Sequence, residues 1–145
     1  MRFRFRLEAI LRLKENEEKE AKERLLKIRG EIAAIEADIA RLERELDNSV
    51  RKRSFAIERG KLIDEALWRR YIPTLEARIK ALRERLMLKK KEEEKALEVF
   101  LEKRRERKSL EKLRERRFRE FLKEIDSQER RTIDEVAERQ HWWKS

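Results

Sequence analysis

From Leu7 onward the apolar residues advance in alternate steps of four and three: Leu7, Leu11, Ala21, Leu25, Ile28, Ile32, Ile35, Ile39, Leu42 and Leu46, with Lys14 and Glu18 standing where the step lands on charge. A repeat of 3.5 residues draws one apolar seam along a helix and implies a left-handed supercoil with a partner helix. Between Leu46 and Pro73 the rhythm fails: Asn48, Ser49, Arg53 and Ser54 interrupt it, and Gly60 supplies the permissive backbone found just past a helix end. The pattern therefore predicts a turn. Asp64 and Glu65 suit an N-cap and an acidic first turn, and Pro73 is expected to kink or restart the second helix. Its seam resumes as Leu75, Ile79, Leu82 and Leu86, weakens through Ala96, Phe100 and Leu110, and returns as Phe118, Leu122, Ile125, Ile133 and Val136.

Two helices joined by a short break bury their seams most simply by folding back on each other. The predicted fold is all-α, an antiparallel two-helix coiled coil with a longer, overhanging C-terminal helix. It forms one domain over 1–145, with a first helix at 2–59, a turn at 60–63, a second helix at 64–140 and a tail at 141–145. A parallel homodimer of continuous helices is the alternative. A turn at 60–63 sets facing positions to total about 123. That register brings Leu46 opposite Leu75 to Ile79, places Glu18 near Arg105, and sets Phe3 and Phe5 level with Phe118 and Phe121. Beyond Phe121 the second helix runs out of partner. About eighteen residues then project roughly 27 Å at about 1.5 Å each, a length at which an isolated amphipathic helix is marginal in water. Leu122, Ile125, Ile133 and Val136 are expected to be received by another protein, with fraying or self-association as the alternative.

Composition supports extended helices over a compact core, since charged residues make up 51% of the 145 and hydrophobic ones 39%. No apolar run approaches the roughly 20 residues that cross a bilayer, and the basic start lacks the continuous apolar segment of a signal peptide. The chain reads as cytoplasmic, and with no cysteine it has no disulfide scaffold.

The net charge of +10 is concentrated in KRRERKSLEKLRERRFRE. Such a run attracts anionic surfaces, but its interspersed Glu residues suit pairing along a solvated helix face, and most aromatics lie elsewhere. An acidic protein partner or a nucleic acid stay open, nucleic acid the less favoured of the two. Catalysis has little to build on. His141 stands beside Trp142 and Trp143 without a nucleophile or second ligand, and Glu15, Glu17 and Glu18 form a generic acidic patch. There is no glycine-rich phosphate loop and no closely spaced metal-ligand set, so no cofactor is expected and the chain reads as not an enzyme.

FRLEAILRLKENEEKEAKERL at the start, ALWRRYIPTLEARI in the middle and QERRTIDEVAERQ near the end, taken in that order, resemble the FliJ family of the flagellar type III export apparatus. The resemblance spans nearly the whole chain. It implies an antiparallel two-helix coiled coil similar to the central stalk of rotary ATPases, which binds no nucleotide itself. It also implies that the open end enters the hexameric export ATPase ring while the stalk contacts the cytoplasmic domain of the export gate protein and escorts substrate chaperones. On that basis the ring contact would comprise Phe3, Phe5, Phe118, Phe121, Leu122, Ile125, Ile133, Asp134, Glu135 and Val136. Leu42, Tyr71 and Leu75 stand at places like those of the family's gate contact, with Asp38, Glu45, Ser49, Arg78 and Leu82 beside them, and Trp68 adds aromatic area. Charged or small residues stand at several of these positions where relatives carry aromatics or amides. For Leu42, Leu75 and Leu82 ordinary seam packing is the competing role. Other readings are a stalk of a virulence-type secretion system or rotary ATPase, or a basic nucleic-acid-associated coiled coil.

Overall fold

In the computed structural model, which describes residues 2–144, Arg2 to Phe5 form no helix and the first helix, α1, covers Glu8–Glu58. The helix thus begins at Glu8 rather than at residue 2. RFRFRL alternates apolar and charged side chains with period two, and that alternation suits an extended chain. Phe3, Phe5 and Leu7 are half-buried while Arg2, Arg4 and Arg6 are exposed. Phe5 O accepts the Glu8 N–H at 3.1 Å and Leu7 O accepts that of Leu11 at 2.9 Å, which starts the helical ladder.

At the other end α1 closes on Gly60, whose φ of 66° lies in the left-handed region where a glycine carries no Cβ penalty. The Lys61 N–H reaches back to Ala56 O at 2.9 Å and the Gly60 N–H to Ile57 O at 3.2 Å, the paired bonds of a Schellman ending. The second helix, α2, spans Leu62–Lys144, and Lys61 O accepts the Glu65 N–H at 3.0 Å. Asp64 is therefore not the N-cap; it sits inside the first turn with Glu65, where a negative charge favours the helix dipole. Helix persists through Pro73 without a restart, and it continues past residue 140 through His141, Trp142 and Trp143. Met1 and Ser145, the ends of the domain expected at 1–145 and of its tail, lie outside the described residues.

No strand occurs among the described residues, and the two helices form an all-α hairpin. The chain divides into two compact units, Ala21–Phe100 and Met1–Glu20 with Leu101–Ser145. In the first of these, Ile35, Ile39 and Leu42 of α1 pack with Leu75 and Ile79 of α2, and Leu46, Tyr71, Leu82 and Leu86 lean on that cluster. A second cluster joins Leu25, Ile28 and Ile32 to Ala96, with Leu97 and Phe100 against it. Small residues continue the seam toward the turn. Ser49 and Ala56 are buried there, and the Ser49 hydroxyl donates to Glu45 O at 2.8 Å, which satisfies a polar group held at a core position. Ion pairs follow the antiparallel register, Arg29 with Glu93 at 3.4 Å and Lys89 with Glu31 at 2.7 Å.

Candidate functional site

In the unit that holds both chain ends, Phe3 meets Phe118 edge-on at 5.2 Å between centroids and Phe121 at 5.4 Å. Phe5, expected in the same clasp, is half-buried but has no ring partner among the described residues. Its carbonyl instead serves the start of α1. Leu11 is fully buried nearby in sequence. The two charged seam positions are filled by ion pairs between the helices. Lys14 lies 2.9 Å from Glu106 and 3.3 Å from Glu17, and Lys103 is 3.1 Å from Glu17. Arg107 pairs with Glu18 and, at 2.8 Å, with Glu111, so Glu18 meets Arg107 rather than Arg105. Arg114 reaches Glu8 at 3.3 Å. Hydrogen bonds from Lys103, then Lys14, hold the Glu17 carboxyl below the usual carboxylate range, and those to Glu106 and Glu17 raise the Lys14 ammonium. A polar stretch of this kind penalises slipped registers, because sliding one helix would strand these charges.

Past the clasp the helix is open to solvent. Ile125 is half-buried, but Leu122 and Val136 are exposed and Ile133 is 66% exposed. Asp134 and Glu135 are exposed between them. Ile125, Gln128, Glu129, Thr132 and Ile133 line a shallow groove on this stretch.

Within the other unit, an open cleft beside the turn is lined by Glu45, Asn48, Ser49, Lys52, Asp64, Leu67, Trp68, Arg70 and Tyr71. Trp68 and Tyr71 meet edge-on at 6.0 Å, and Lys52 Nζ lies 5.2 Å from the Trp68 ring centroid. The Tyr71 hydroxyl donates to Glu45, and that bond together with burial raises its pKa. Leu42 and Leu75 are buried in the seam and Leu82 leans on the same cluster, so these three take the packing role. Arg78 is exposed, Asp38 is exposed and pairs with Arg41 at 3.6 Å, and Ser49 is buried. The aromatic and polar groups of the cleft were legible individually. That Lys52 joins them was not, because it lies on the opposite helix.

This chain matches the family described as Flagellar FliJ protein over residues 3–145. It belongs to that family. A FliJ-family chain is a component of the flagellar export apparatus. Comparison with curated proteins finds no match, and comparison with solved structures finds none. No helix among the described residues is long and apolar enough to cross a membrane. Nor do the described residues hold a group of His, Asp and Glu placed for a metal. In this FliJ-family chain part of the basic run is spent internally, since Lys103, Arg107 and Arg114 pair with α1. Fewer of its charges are left to track phosphates.

Proposed function

We propose that this FliJ-family chain is a non-enzymatic stalk of the flagellar export ATPase complex. Its open end enters the hexameric ATPase ring, its turn end meets the cytoplasmic domain of the export gate protein, and it escorts export chaperones at the inner face of the membrane-embedded apparatus. One observation carries the reading: α2 keeps an apolar stripe of Leu122, Ile133 and Val136 in solvent, beyond the rings that close the hairpin. A helix already formed loses less freedom on binding than one that must be ordered by its partner. Phe3, held against Phe118 and Phe121, supports the base of that helix, while Leu122, Ile125, Ile133, Asp134, Glu135 and Val136 supply the contact. At the turn end Trp68, Tyr71 and Arg78 offer the accessible surface, and Leu42, Leu75 and Leu82 hold it in place from the seam.

Removal of residues 122–145 tests the reading directly. The shortened chain should keep its helical hairpin, whose seams are intact, yet lose binding to the ATPase hexamer and stimulation of its activity. Stimulation equal to that of the full chain would sink the proposal. At the other end, Tyr71→Ala should weaken gate binding with helicity and ring binding unchanged.

A further inference from the structure

The turn exposes large apolar side chains that the fold leaves without a seam. Leu62 and Ile63, which open α2, are 77% and 80% exposed, and Phe55, Ile57 and Leu67 are also exposed. Burial is available a residue away, since Ala56 is buried. The seam here has selected the small side chain and left the large ones outside. Because the chain reverses at Gly60, these residues cluster at the end of the hairpin.

Basic side chains surround them. Arg51, Lys52, Arg53, Arg59, Lys61, Arg69 and Arg70 stand in the same stretch as only three acids, Glu58, Asp64 and Glu65. Glu65 is already engaged, with Arg53 at 3.2 Å and Arg69 at 3.8 Å. Arg51, Arg59, Lys61 and Arg70 have no ion pair among the described residues, and Arg59 instead lies over the Phe55 ring at 4.6 Å. Long basic side chains of this kind lay their stems along apolar surface while the charge reaches outward.

We propose that the turn, residues 55–67, inserts into an anionic lipid surface. The apolar residues sit at the acyl boundary, the flanking Arg and Lys meet lipid phosphates, and Trp68 lies at headgroup level, where indole is favoured. Leu62 and Ile63 line neither of the open grooves beside the turn, one bounded by Glu45, Ser49, Trp68 and Tyr71 and the other by Arg51, Phe55, Lys61 and Trp68; aliphatics that stand outside a groove favour a bilayer over a peptide or helix, which are received in grooves. Exposed aliphatics with a basic surround have the two attractions that such surfaces need together, apolar burial and charge. The proposal rests on neither earlier reading: the ATPase ring concerns the other unit, and the gate contact keeps Tyr71 and Arg78, with Trp68 at the boundary between the gate-facing and lipid-facing surfaces.

The test uses the full chain with Trp142→Phe and Trp143→Phe, which leaves Trp68 as its only tryptophan. Vesicles of equal parts phosphatidylglycerol and phosphatidylcholine should carry the protein upward on flotation, whereas phosphatidylcholine alone should not. Trp68 emission should shift to the blue and be quenched by brominated lipid. Leu62→Gln with Ile63→Gln should weaken partitioning about tenfold with helicity unchanged. Arg59→Glu or Lys61→Glu should weaken it roughly fivefold each, and added salt should do the same to all variants. Failure to float with the anionic vesicles overturns the proposal. So does flotation without quenching of Trp68, a measurement that needs no turn variant, because it would mark adsorption through the basic run of α2. Loss of gate-domain binding in the Leu62/Ile63 variant, with no vesicle binding by the parent, would assign the tip to a protein and equally overturn it.

Discussion

Two units of one helical hairpin are held in different ways. Among the described residues, every buried hydrophobic side chain lies in the unit Ala21–Phe100 except Leu11. That unit closes on branched aliphatics, whereas the unit holding the chain ends closes on Leu11, the rings of Phe3, Phe118 and Phe121, and a ladder of ion pairs. Aliphatic burial is worth about 1.5–3 kcal/mol per large side chain, while ion pairs reached by solvent contribute far less. The first unit is thus specified and stable; the second is specified by charge but held more weakly. A segment that must engage a partner is expected to come from the less stable end of the range.

The contrast can be broken most severely at Leu75, which is 0% exposed. Leu75→Ala should cost about 2–5 kcal/mol, read as a lower denaturation midpoint. An effect below about 1 kcal/mol would show that the aliphatic seam is not what sets stability. Gly60→Ala comes next: an added Cβ meets nothing within 4 Å, so the loss reflects backbone strain alone, about 1–2 kcal/mol. Phe3→Ala should remove roughly 0.5–1.5 kcal/mol of ring pairing besides the area lost, and it should act locally. Amide exchange near Leu11 and Phe118 should quicken while Ile35 to Leu42 remain protected.

Smaller still is the response to pH, and its sign follows from the carboxylates. Glu17 is held low by Lys103 and Lys14, and Glu31 by Lys89. A carboxyl depressed in the folded chain adds its stability above the unfolded value, about 4.3, and loses it as pH falls through the folded one. Lys14 and Lys89 are raised, so their contribution holds through neutrality and is lost only above the ordinary ammonium value, about 10.4. The thermal midpoint should stay flat near neutrality and drop below about pH 4. Exchange should rise around Glu8 to Glu18 before it rises around Ile28 to Leu42. Simultaneous loss at both places would remove the distinction between the units.

The heptad steps from Leu11 to Leu46 and from Leu75 to Leu86 were enough to read two helices, because a seam of period 3.5 has only one face to bury, and the turn position set a register that placed Leu46 with Leu75 and Ile79 but put Arg105 where Arg107 meets Glu18. Gly60 likewise announced the turn, since few residues tolerate a positive φ. The start of α1 was also written in the chain, but in a different period: RFRFRL alternates by two, and reading it as helix passed over that signal. Other features were not local. Lys14 looked like a defect in a seam until Glu106 came opposite it, and Phe5 proved to have no place in the ring contact that the register rightly assigned to Phe3, because the backbone there is already committed to starting the helix. Which of two roles Leu42, Leu75 and Leu82 take was a further tertiary decision, because a leucine at heptad spacing faces whatever the packing puts there. Periodicity determines which residues share a face of one helix. Only the pairing of helices determines whether that face is covered, by what, and where it is left open, as it is at Leu62 and Ile63 and again from Leu122 to Val136.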